Sequence, residues 1–496
     1  MSDPFVVIGG DAAGLSAASK CRREDPDRDV IVFERGRWVS YAHCGMPYYV
    51  KGEVEDLLSL TSLTPEKITE RGIDLRREHE VVGIDTDAQT VTVAGPDGEF
   101  QQSYGDLLVA TGARAIAPID GVERDGAFTL HHMDSAAALR AYLEPAGTVD
   151  PAEIGNSYTD DEYVGRYAER DPPETAAIVG GGYVGVETAE ALAAWDLDVH
   201  LFQRGDSLLP PFGEAVAETV AAELREQGVT LHLGCEVEAL AADGADGGDG
   251  GDGIAGDGEV TAVEHTDGRT PVDLAVVGVG VRPNAELAAE AGIETGAGGA
   301  IAVDEYGRTS APDVYAAGDC ATAEHVVTGE QAWVPLGLTA NRAGRAVGAT
   351  VGTRAGAADG PAPTPTGGIA GTAVVKAFEQ ECGRTGILDY DEAREAGFDP
   401  VSETITAGSR SGYYPGNAET TVTLCADRES GQLLGGSIVG TDRAAVRIDT
   451  VATALESGMT VGELERADLA YAPPFSPVWD PVLVAAKVLS GAVDSR

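Results

Sequence analysis

The chain carries one sequence pattern twice, as PFVVIGGDAAGLSAASKCRR at residues 4–23 and as AAIVGGGYVGVETAEALAAW at residues 176–195. Each stretch is a short apolar run, a glycine-rich turn and an alanine-rich segment of helical character. A second apolar run with nearly the same ending follows each copy, VIVFERG at 30–36 and VHLFQRG at 199–205. Strand, glycine turn, helix and parallel strand form a βαβ unit, so the repeat predicts two nucleotide-binding domains.

The second copy has the complete glycine motif. Gly180, Gly182 and Gly185 match G-x-G-x-x-G between a strand and a helix. The first glycine allows the tight turn, the second lets the backbone approach a pyrophosphate, and the third packs the helix on the strand. We therefore expect this unit to bind a dinucleotide, with the phosphates at the helix N-terminus.

The first copy departs from the motif, because Asp11 stands where the middle glycine is expected. Glu34 supports a nucleotide site all the same. It lies 20 residues beyond Gly14, where a carboxylate accepts hydrogen bonds from ribose hydroxyls. The residues expected to contact this nucleotide are Gly9, Gly10, Ala13, Gly14 and Glu34.

The position that matches Glu34 in the second unit is Gln203, and Arg204 follows it. A glutamine does not repel the 2′-phosphate of NADPH, and an arginine can pair with it. The sequence thus predicts that NADPH is at least tolerated, and it leaves the choice between NADH and NADPH open.

Two nucleotide sites in one chain indicate hydride transfer between bound cofactors, with flavin the usual acceptor. Two later segments, LLVATGARA at 107–115 and TSAPDVYAAGDCA at 309–321, read as short strands that end in glycine turns. They predict FAD contacts from Thr111, Gly112 and Asp319, with Asp319 at the ribityl chain. A third segment, at 273–284 and including Gly280, is expected to close the NAD(P)H domain.

The order of these segments resembles the FAD-dependent pyridine nucleotide–disulfide oxidoreductases. The resemblance covers the chain except for two acidic insertions, 146–174 and 243–258, which we interpret as surface decoration and a mobile loop. It implies an α/β fold with two Rossmann-like domains, the FAD domain interrupted by the NAD(P)H domain, and a C-terminal α+β dimerisation domain. The expected boundaries are 1–120 and 286–355 for FAD, 121–285 for NAD(P)H, and 366–496 for dimerisation.

The segment SYAHCGMPYYVKG at 40–52 indicates the branch of the family. A single cysteine, Cys44, stands here instead of a C-x-x-x-x-C pair. The segment resembles the single-cysteine branch, most closely the coenzyme A–disulfide reductases; NADH peroxidases, NAD(P)H oxidases and persulfide reductases also belong to that branch. We expect Cys44 to be a reactive thiolate near a helix N-terminus and the flavin, and the other five cysteines to be buried.

Ala12 weighs against peroxide or oxygen chemistry. Peroxidases and oxidases of the branch place an acid–base histidine at this position. His43, beside Cys44, is either a polar surface residue or a proton donor, because adjacency in sequence does not give geometry.

The C-terminal segments RSGYYPGN at 410–417 and LAYAPPFSPVWDPV at 469–482 resemble coenzyme A–disulfide reductases. In those enzymes a tyrosine from each segment reaches the active cysteine of the other subunit. The resemblance implies a homodimer with a shared active site, in which Tyr471 and either Tyr413 or Tyr414 act on the departing thiolate. The alternative is aromatic packing at the dimer interface.

Basic residues are concentrated near the active cysteine. Residues 20–77 hold 11 of the 34 lysines and arginines, which favours an anionic ligand near Cys44. A lysine used near the C-terminus by some members is Trp479 here. By resemblance, the coenzyme contacts are Ser16, Lys20, Arg23, Ser40, His43, Arg71 and His325.

The net charge of the chain limits the kinds of partner that it can bind. The 496 residues contain 34 bases and 82 acids, a net charge of −48, which excludes non-specific binding to nucleic acid or an anionic membrane. Acids spread along the whole chain indicate a surface adapted to molar salt. We expect no metal site because no C-x-x-C pair is present. Without a targeting or membrane-spanning segment, a cytoplasmic location is expected.

These features together predict an NAD(P)H-dependent flavoprotein that reduces a disulfide through Cys44, with coenzyme A disulfide the first candidate. One alternative is an NAD(P)H oxidase in which Cys44 cycles through sulfenic acid. Persulfide or polysulfide reduction and a redox-sensing flavoprotein also remain open.

Overall fold

The fold is described from a computed structural model, over residues 3–155, 158–242, 258–354 and 360–494. Apart from residue 258, the loop predicted at 243–258 lies outside the described residues, as do residues 355–359.

The N-terminal quarter forms a βαβ unit followed by short helices and a small antiparallel sheet. Its elements are β1 Phe5–Ile8, α1 Ala12–Glu24, β2 Val30–Glu34, α2 Met46–Lys51, α3 Pro65–Glu70, β3 Asp74–Arg77, β4 Glu80–Asp85, β5 Thr90–Gly95, β6 Gly98–Ser103, β7 Asp106–Val109 and β8 Ala113–Ala115.

The middle of the chain repeats this plan. Its elements are β9 Ala127–Phe128, α4 Met133–Leu143, α5 Asp161–Ala168, β10 Thr175–Val179, α6 Tyr183–Ala193, β11 Asp198–Gln203, α7 Glu214–Glu226, β12 Thr230–Leu233, β13 Val237–Ala241, β14 Ala262–His265, β15 Gly268–Pro271, β16 Leu274–Val277 and β17 Val281–Pro283.

The last part returns to the first sheet and then builds a separate layer. Its elements are α8 Glu286–Glu290, β18 Val314–Ala316, β19 Ala323–Glu324, β20 Gln331–Ala332, α9 Gly337–Gly352, β21 Ala373–Ala377, β22 Gln380–Gly386, α10 Tyr390–Glu395, β23 Pro400–Gly408, β24 Glu419–Asp427, β25 Leu433–Gly440, α11 Ile448–Glu456, α12 Val461–Glu465 and α13 Pro481–Asp494.

Two parallel sheets form the two nucleotide-binding folds. The first has the order β18-β7-β1-β2-β3 and the second β12-β11-β10-β16-β9. Their central strands, β1 (FVVI) and β10 (TAAIV), are almost entirely buried, as strands covered by helices on both faces must be. Since β18 joins the first sheet after the second has been completed, the first fold is interrupted by the second.

The C-terminal region is an antiparallel sheet, β21-β22-β25-β24-β23, packed against helices α11 and α13. Its β25 strand, LLGGSIVG, is buried along its whole length. Together with the two parallel sheets, this layer confirms the predicted fold class of two Rossmann-like folds followed by an α+β domain.

The acidic segment 146–174 is more than surface decoration. Its helix α5 places Val164, Tyr167 and Ala168 in the core against α4, each at most 2 % exposed. Arg170 pairs with Asp125 at 2.7 Å. An alternation of acids with tyrosines hid this apolar face, because tyrosine is amphipathic and does not read as a core residue. Among the described residues, no helix combines the length and the apolar character needed to cross a bilayer.

Candidate active site

A large cavity lies at the carboxyl ends of the first sheet, where ligands of parallel α/β folds bind. Its volume is about 1420 Å³. It is walled by the first glycine loop, the segment that carries Cys44, and the first turn of α6 from the second nucleotide fold. Single-ligand pockets typically span about 300–1,000 Å³, so this cavity has room for more than one ligand.

The first glycine loop lines this cavity. The Gly10 amide donates to Oε2 of Glu34 at 2.8 Å, and the Gly36 amide donates to Oε1 at 2.7 Å. A carboxylate offers about four acceptor sites, so Glu34 retains capacity for ribose hydroxyls. Of the nucleotide residues predicted for this unit, the cavity wall includes Gly9, Gly10, Ala13, Glu34, Thr111, Gly112 and Asp319.

Gly14 has a packing role instead, since a Cβ built there would lie 1.9 Å from the Gly9 carbonyl oxygen. Asp319 is held in the opposite wall, where burial raises its pKa to about 6. Its carbonyl accepts a hydrogen bond from the Trp333 indole at 2.8 Å.

The second glycine loop repeats the same geometry in the other fold. The Gly181 amide donates to Oε1 of Gln203 at 3.0 Å, and Gly182 has open space beside it. A Cβ on Gly185 would meet the Gly180 carbonyl oxygen at 1.8 Å. Arg204 is 82 % exposed and 4.0 Å from Glu236, and Gly280 turns the chain at φ 124°. None of these residues lines the large cavity, but Tyr183 and Glu187 of α6 do.

Cys44 lies on the cavity wall in the turn that leads into α2, and its side chain is exposed. The turn is fixed from both sides. The Ser40 amide donates to the Gly10 carbonyl at 3.1 Å, and a Cβ on Gly45 would lie 2.3 Å from Leu60. The other five cysteines are buried, and burial raises the pKa of Cys21, Cys382 and Cys425 to about 12. Cys44 is therefore the thiol that a ligand in the cavity can reach.

The basic residues near Cys44 divide into two groups. Arg23, Arg35, Arg37 and Arg71 line the cavity, whereas Arg28 and Arg76 pair with Asp106 and Asp74, both at 2.6 Å. Ser16 and Ser40 also line it, as does Arg345 of α9, which no sequence motif pointed to.

Two predicted coenzyme contacts lie outside the cavity wall. Lys20 pairs with Glu24 one turn further along α1. His325 is buried, and its backbone forms an isolated bridge with Ile369.

A cluster that the sequence did not group surrounds His43. Asp11 Oδ2 lies 3.4 Å from Nδ1 of His43, and the His43 and His131 rings are 5.5 Å apart. His132 follows at 5.0 Å from His131. All four residues line the cavity. They were missed because residues 11, 43 and 131 meet only through the fold.

Two acidic residues of α6 mark the junction of the domains. Tyr48 donates to Oε1 of Glu187 at 2.9 Å, and burial raises the pKa of Glu187 to about 7. Glu190 accepts hydrogen bonds from Lys51 at 2.7 Å and from Lys376 at 2.8 Å. Burial alone would raise the pKa of Glu190, but the lysine bonds outweigh it and lower that pKa. One buried carboxylate thus ties together α2, α6 and β21.

The predicted tyrosines lie on the surface of the C-terminal domain. Tyr413 is 81 % exposed and Tyr471 is 61 % exposed. Their segments are joined by Arg447, whose guanidinium donates to the Ser409 and Phe475 carbonyls. Tyr414, half-buried, belongs to the same face. Within one chain, Tyr413, Tyr414 and Tyr471 do not line the cavity around Cys44.

The ligand atoms of Cys235, His265 and Asp267 lie within 4.8 Å of one another, a group that the sequence did not single out. Nδ1 of His265 is 3.3 Å from the Cys235 sulfur and also accepts from the Asp267 amide at 3.3 Å. These hydrogen bonds satisfy the imidazole without an ion.

Two dinucleotide folds that meet at a cavity with one accessible thiol define a flavin-dependent NAD(P)H oxidoreductase. The chain belongs to the pyridine nucleotide-disulphide oxidoreductase family. That family's model matches residues 3–343, and the model of its dimerisation domain matches residues 372–481.

Known relatives extend over nearly the whole chain. A Pyrococcus horikoshii NAD(P)H coenzyme A polysulfide/persulfide reductase is 35% identical over 492 residues, 99% of each chain. A Staphylococcus aureus coenzyme A disulfide reductase is 29% identical over 479 residues, 95% of this chain and 96% of that one. The structure of an NAD-dependent persulfide reductase from A. fulgidus superposes with a TM-score of 0.85 at 34% identity, covering 99% of this chain and 84% of that one.

The family uses FAD, and the first nucleotide site fits it. The glycine loop lines an open cavity, a carboxylate stands at the end of β2, and Gly112 (φ 67°) and Asp319 also line the wall. FAD bound here supplies a hydride acceptor that can pass two electrons to sulfur.

Proposed function

We propose that the protein is a single-cysteine NAD(P)H:disulfide reductase whose substrate is coenzyme A disulfide or a similarly anionic small disulfide. The observation that carries the proposal is the position of Cys44. It is the exposed thiol of a cavity bounded by the flavin-binding loop and, on α1 and α9, by Arg23 and Arg345.

The protein groups divide the work between them. Glu34, positioned by the Gly10 amide, would accept hydrogen bonds from the ribose of the dinucleotide in the first unit. The second glycine loop presents the nicotinamide beside Tyr183 and Glu187. The turn fixed by Ser40 and Gly45 holds Cys44 where its sulfur can form a mixed disulfide with a small thiol.

The arginines on the wall supply the anion recognition. Coenzyme A carries three phosphates, and Arg23, Arg71 and Arg345 line the cavity in a chain whose net charge is −48. These guanidinium groups can pair with the phosphates of an anionic ligand bound in the same cavity as Cys44.

The proposal includes a homodimer with a shared site. The exposed segments that carry Tyr413, Tyr414 and Tyr471 form a face on which a second copy would bury its own surface. Tyr471 with Tyr413 or Tyr414 would then reach the partner's cysteine and hold the departing thiolate by a phenolic hydrogen bond.

The test is anaerobic NADPH and NADH oxidation, followed at 340 nm in molar KCl with and without coenzyme A disulfide. We expect a rate that requires the disulfide, is abolished in Cys44→Ser and is retained in Cys21→Ala, whose thiol is buried. Disulfide-dependent turnover by Cys44→Ser would refute the proposal. Consumption that requires only air would favour the oxidase.

A second candidate is persulfide or polysulfide reduction through the same cysteine. The names of the P. horikoshii and A. fulgidus relatives favour it. Replacing the disulfide by coenzyme A persulfide in the same assay discriminates the two, since a persulfide-specific enzyme releases sulfide and leaves coenzyme A disulfide intact.

A further inference from the structure

Asp11 stands in the glycine turn but is directed at the loop that carries Cys44. Its Oδ1 accepts a hydrogen bond from the Tyr41 amide at 3.0 Å, and its Oδ2 lies 3.4 Å from Nδ1 of His43. One carboxyl thus holds the backbone at Tyr41 and lies beside the imidazole of His43, just before Cys44. Acid–base contacts of this length commonly tighten when substrate binds.

The surroundings shift the two groups in opposite directions. Burial raises the pKa of Asp11 to about 7, and the carboxylates of Glu34 and Asp319 add to the effect. Burial lowers the pKa of His43 to about 4, with the imidazoles of His131 and His132 adding to it. Between about pH 4 and pH 7 the favoured state is therefore a carboxylic acid beside a neutral imidazole, which together store one proton.

Disulfide exchange at Cys44 needs such a proton. When a thiolate attacks an alkyl disulfide, the sulfur that leaves is a basic thiolate, and protonating it speeds its departure. The glycine turn has no histidine of its own, because Ala12 follows Asp11. Asp11 and His43 line the same cavity wall as Cys44.

We propose that Asp11 and His43 act as one acid–base pair that gives a proton to the thiolate leaving in exchange at Cys44. This inference rests on the proposed disulfide chemistry. In the step, the Cys44 thiolate attacks the disulfide R–S–S–R, the Cys44–S bond forms and the S–S bond breaks. The departing RS⁻ takes the proton of the pair and leaves as RSH. The pair, now carrying one negative charge, recovers a proton from water in the open cavity.

The groups around the pair are consistent with this role. The His43 ring lies 4.4 Å from the Tyr41 ring and 5.5 Å from the His131 ring. These two ring contacts hold the imidazole in place. Nε2 of His131 is 3.0 Å from the Ala113 carbonyl. The positive charge of Arg35 acts on His131 and His132 and helps to lower their pKa values. Among the described residues that shift the pKa values of His43, His131 and His132, Arg35 is the only arginine or lysine.

The experiment compares two disulfides in a single turnover of the flavin-loaded enzyme, reduced and freed of reductant. Bis(2-hydroxyethyl) disulfide releases a basic alkyl thiolate that needs a proton. 5,5′-Dithiobis(2-nitrobenzoate) releases an aryl thiolate that leaves as an anion. Formation of the Cys44 mixed disulfide is followed by mass spectrometry for the first and by absorbance at 412 nm for the second.

We expect Asp11→Asn and His43→Asn each to slow the alkyl reaction about 100-fold and to leave the aryl reaction nearly unchanged. The ratio of alkyl to aryl rates in the wild type should fall as pH rises past about 7, and it should be flat in Asp11→Asn. The ratio removes the ionisation of Cys44 itself. Asp160→Asn, which changes the N-terminal acid of α5 outside the cavity, should match the wild type.

Equal slowing of both reactions would overturn the proposal, because it would mean that the two residues only shape the loop. An unchanged alkyl rate in both variants would overturn it as well. Both probes act without a coenzyme A site. If the wild type reacts with them but not with coenzyme A disulfide, the proposed substrate fails while the acid–base pair is still tested.

Discussion

The two glycine turns, residues 9–14 and 180–185, have the same backbone and different side chains. Gly9 and Gly180 both have φ 112°, and a Cβ on Gly14 or Gly185 would collide with the carbonyl of the first glycine in its turn. At the end of the following strand, Glu34 accepts a hydrogen bond from the Gly10 amide, and Gln203 accepts one from the Gly181 amide in the same way. The fold requires the outer glycines and one acceptor.

The two turns differ at positions that the backbone conformation does not constrain. Glutamate against glutamine at the strand end changes the charge beside a nucleotide ribose and leaves the backbone contact intact. Asp11 against Gly182 is the larger change, because Gly182 borders open space and Asp11 extends to Tyr41 and His43. Asp11 thus connects the first turn to the loop that carries Cys44, a contact that Gly182 cannot make in the second turn.

The largest expected effect is the loss of both nucleotide-binding units when the chain unfolds at low salt. Lowering KCl from about 1 M to about 0.01 M lengthens the Debye screening distance from about 3 Å to about 30 Å. With a net charge of −48, we expect self-repulsion to unfold the chain. Far-UV circular dichroism and flavin release should report the same transition. A melt that is unchanged at low salt would show that the acidic surface has another role.

Substitutions at matched glycines test the two nucleotide-binding units one at a time. Gly14→Ala and Gly185→Ala each place a Cβ within 2 Å of a carbonyl oxygen, at a cost of at least about 3 kcal/mol. We expect Gly14→Ala to lose bound flavin and Gly185→Ala to keep flavin but lose reduction by NAD(P)H. Absorbance at 450 nm distinguishes them. Gly182→Ala is the control, as its Cβ meets open space and should leave thermal stability unchanged.

Each unit also contributes a carboxyl with a raised pKa, Asp11 in the first and Glu187 in the second, both about 7. A native pKa above the unfolded value means that the native state holds a proton that the unfolded chain has released. The contribution of Glu187 to the free energy of unfolding therefore falls as pH rises from about 4.5 to about 7. Glu187→Gln does not titrate, so it should gain about 2 kcal/mol over wild type between pH 5 and pH 8.

Denaturant unfolding at the two pH values measures this gain, with Glu162→Gln, on the surface of α5, as the control. A constant difference between Glu187→Gln and wild type at both pH values would mean that Glu187 titrates normally in the folded protein.

The smallest effect concerns the strand ends. Gln203→Glu should retain the Gly181 hydrogen bond and place a negative charge beside the ribose of NAD(P)H. We expect NADPH to weaken about tenfold relative to NADH, because the carboxylate repels the 2′-phosphate. The ratio of the two Kd values measures this. Equal weakening of both coenzymes would place the 2′-phosphate away from residue 203.

The sequence alone determined the two βαβ units, their order and the family, because glycine spacing and buried apolar runs are local properties with a period that can be read along the chain. It also singled out Cys44, which no second cysteine accompanies. It misjudged residues 146–174, whose helix buries an apolar face, and it did not separate cavity-lining Arg23 and Arg71 from bases such as Lys20 that pair with acids.

Only the tertiary structure decided the contacts between distant segments. Asp11, His43 and His131 are brought together by a turn, a loop and a strand end, and no spacing in the sequence encodes that meeting. The same is true of Glu190 with Lys51 and Lys376. Burial then sets the protonation of these groups, since the cost of a charge depends on the low-dielectric surroundings that the whole fold creates.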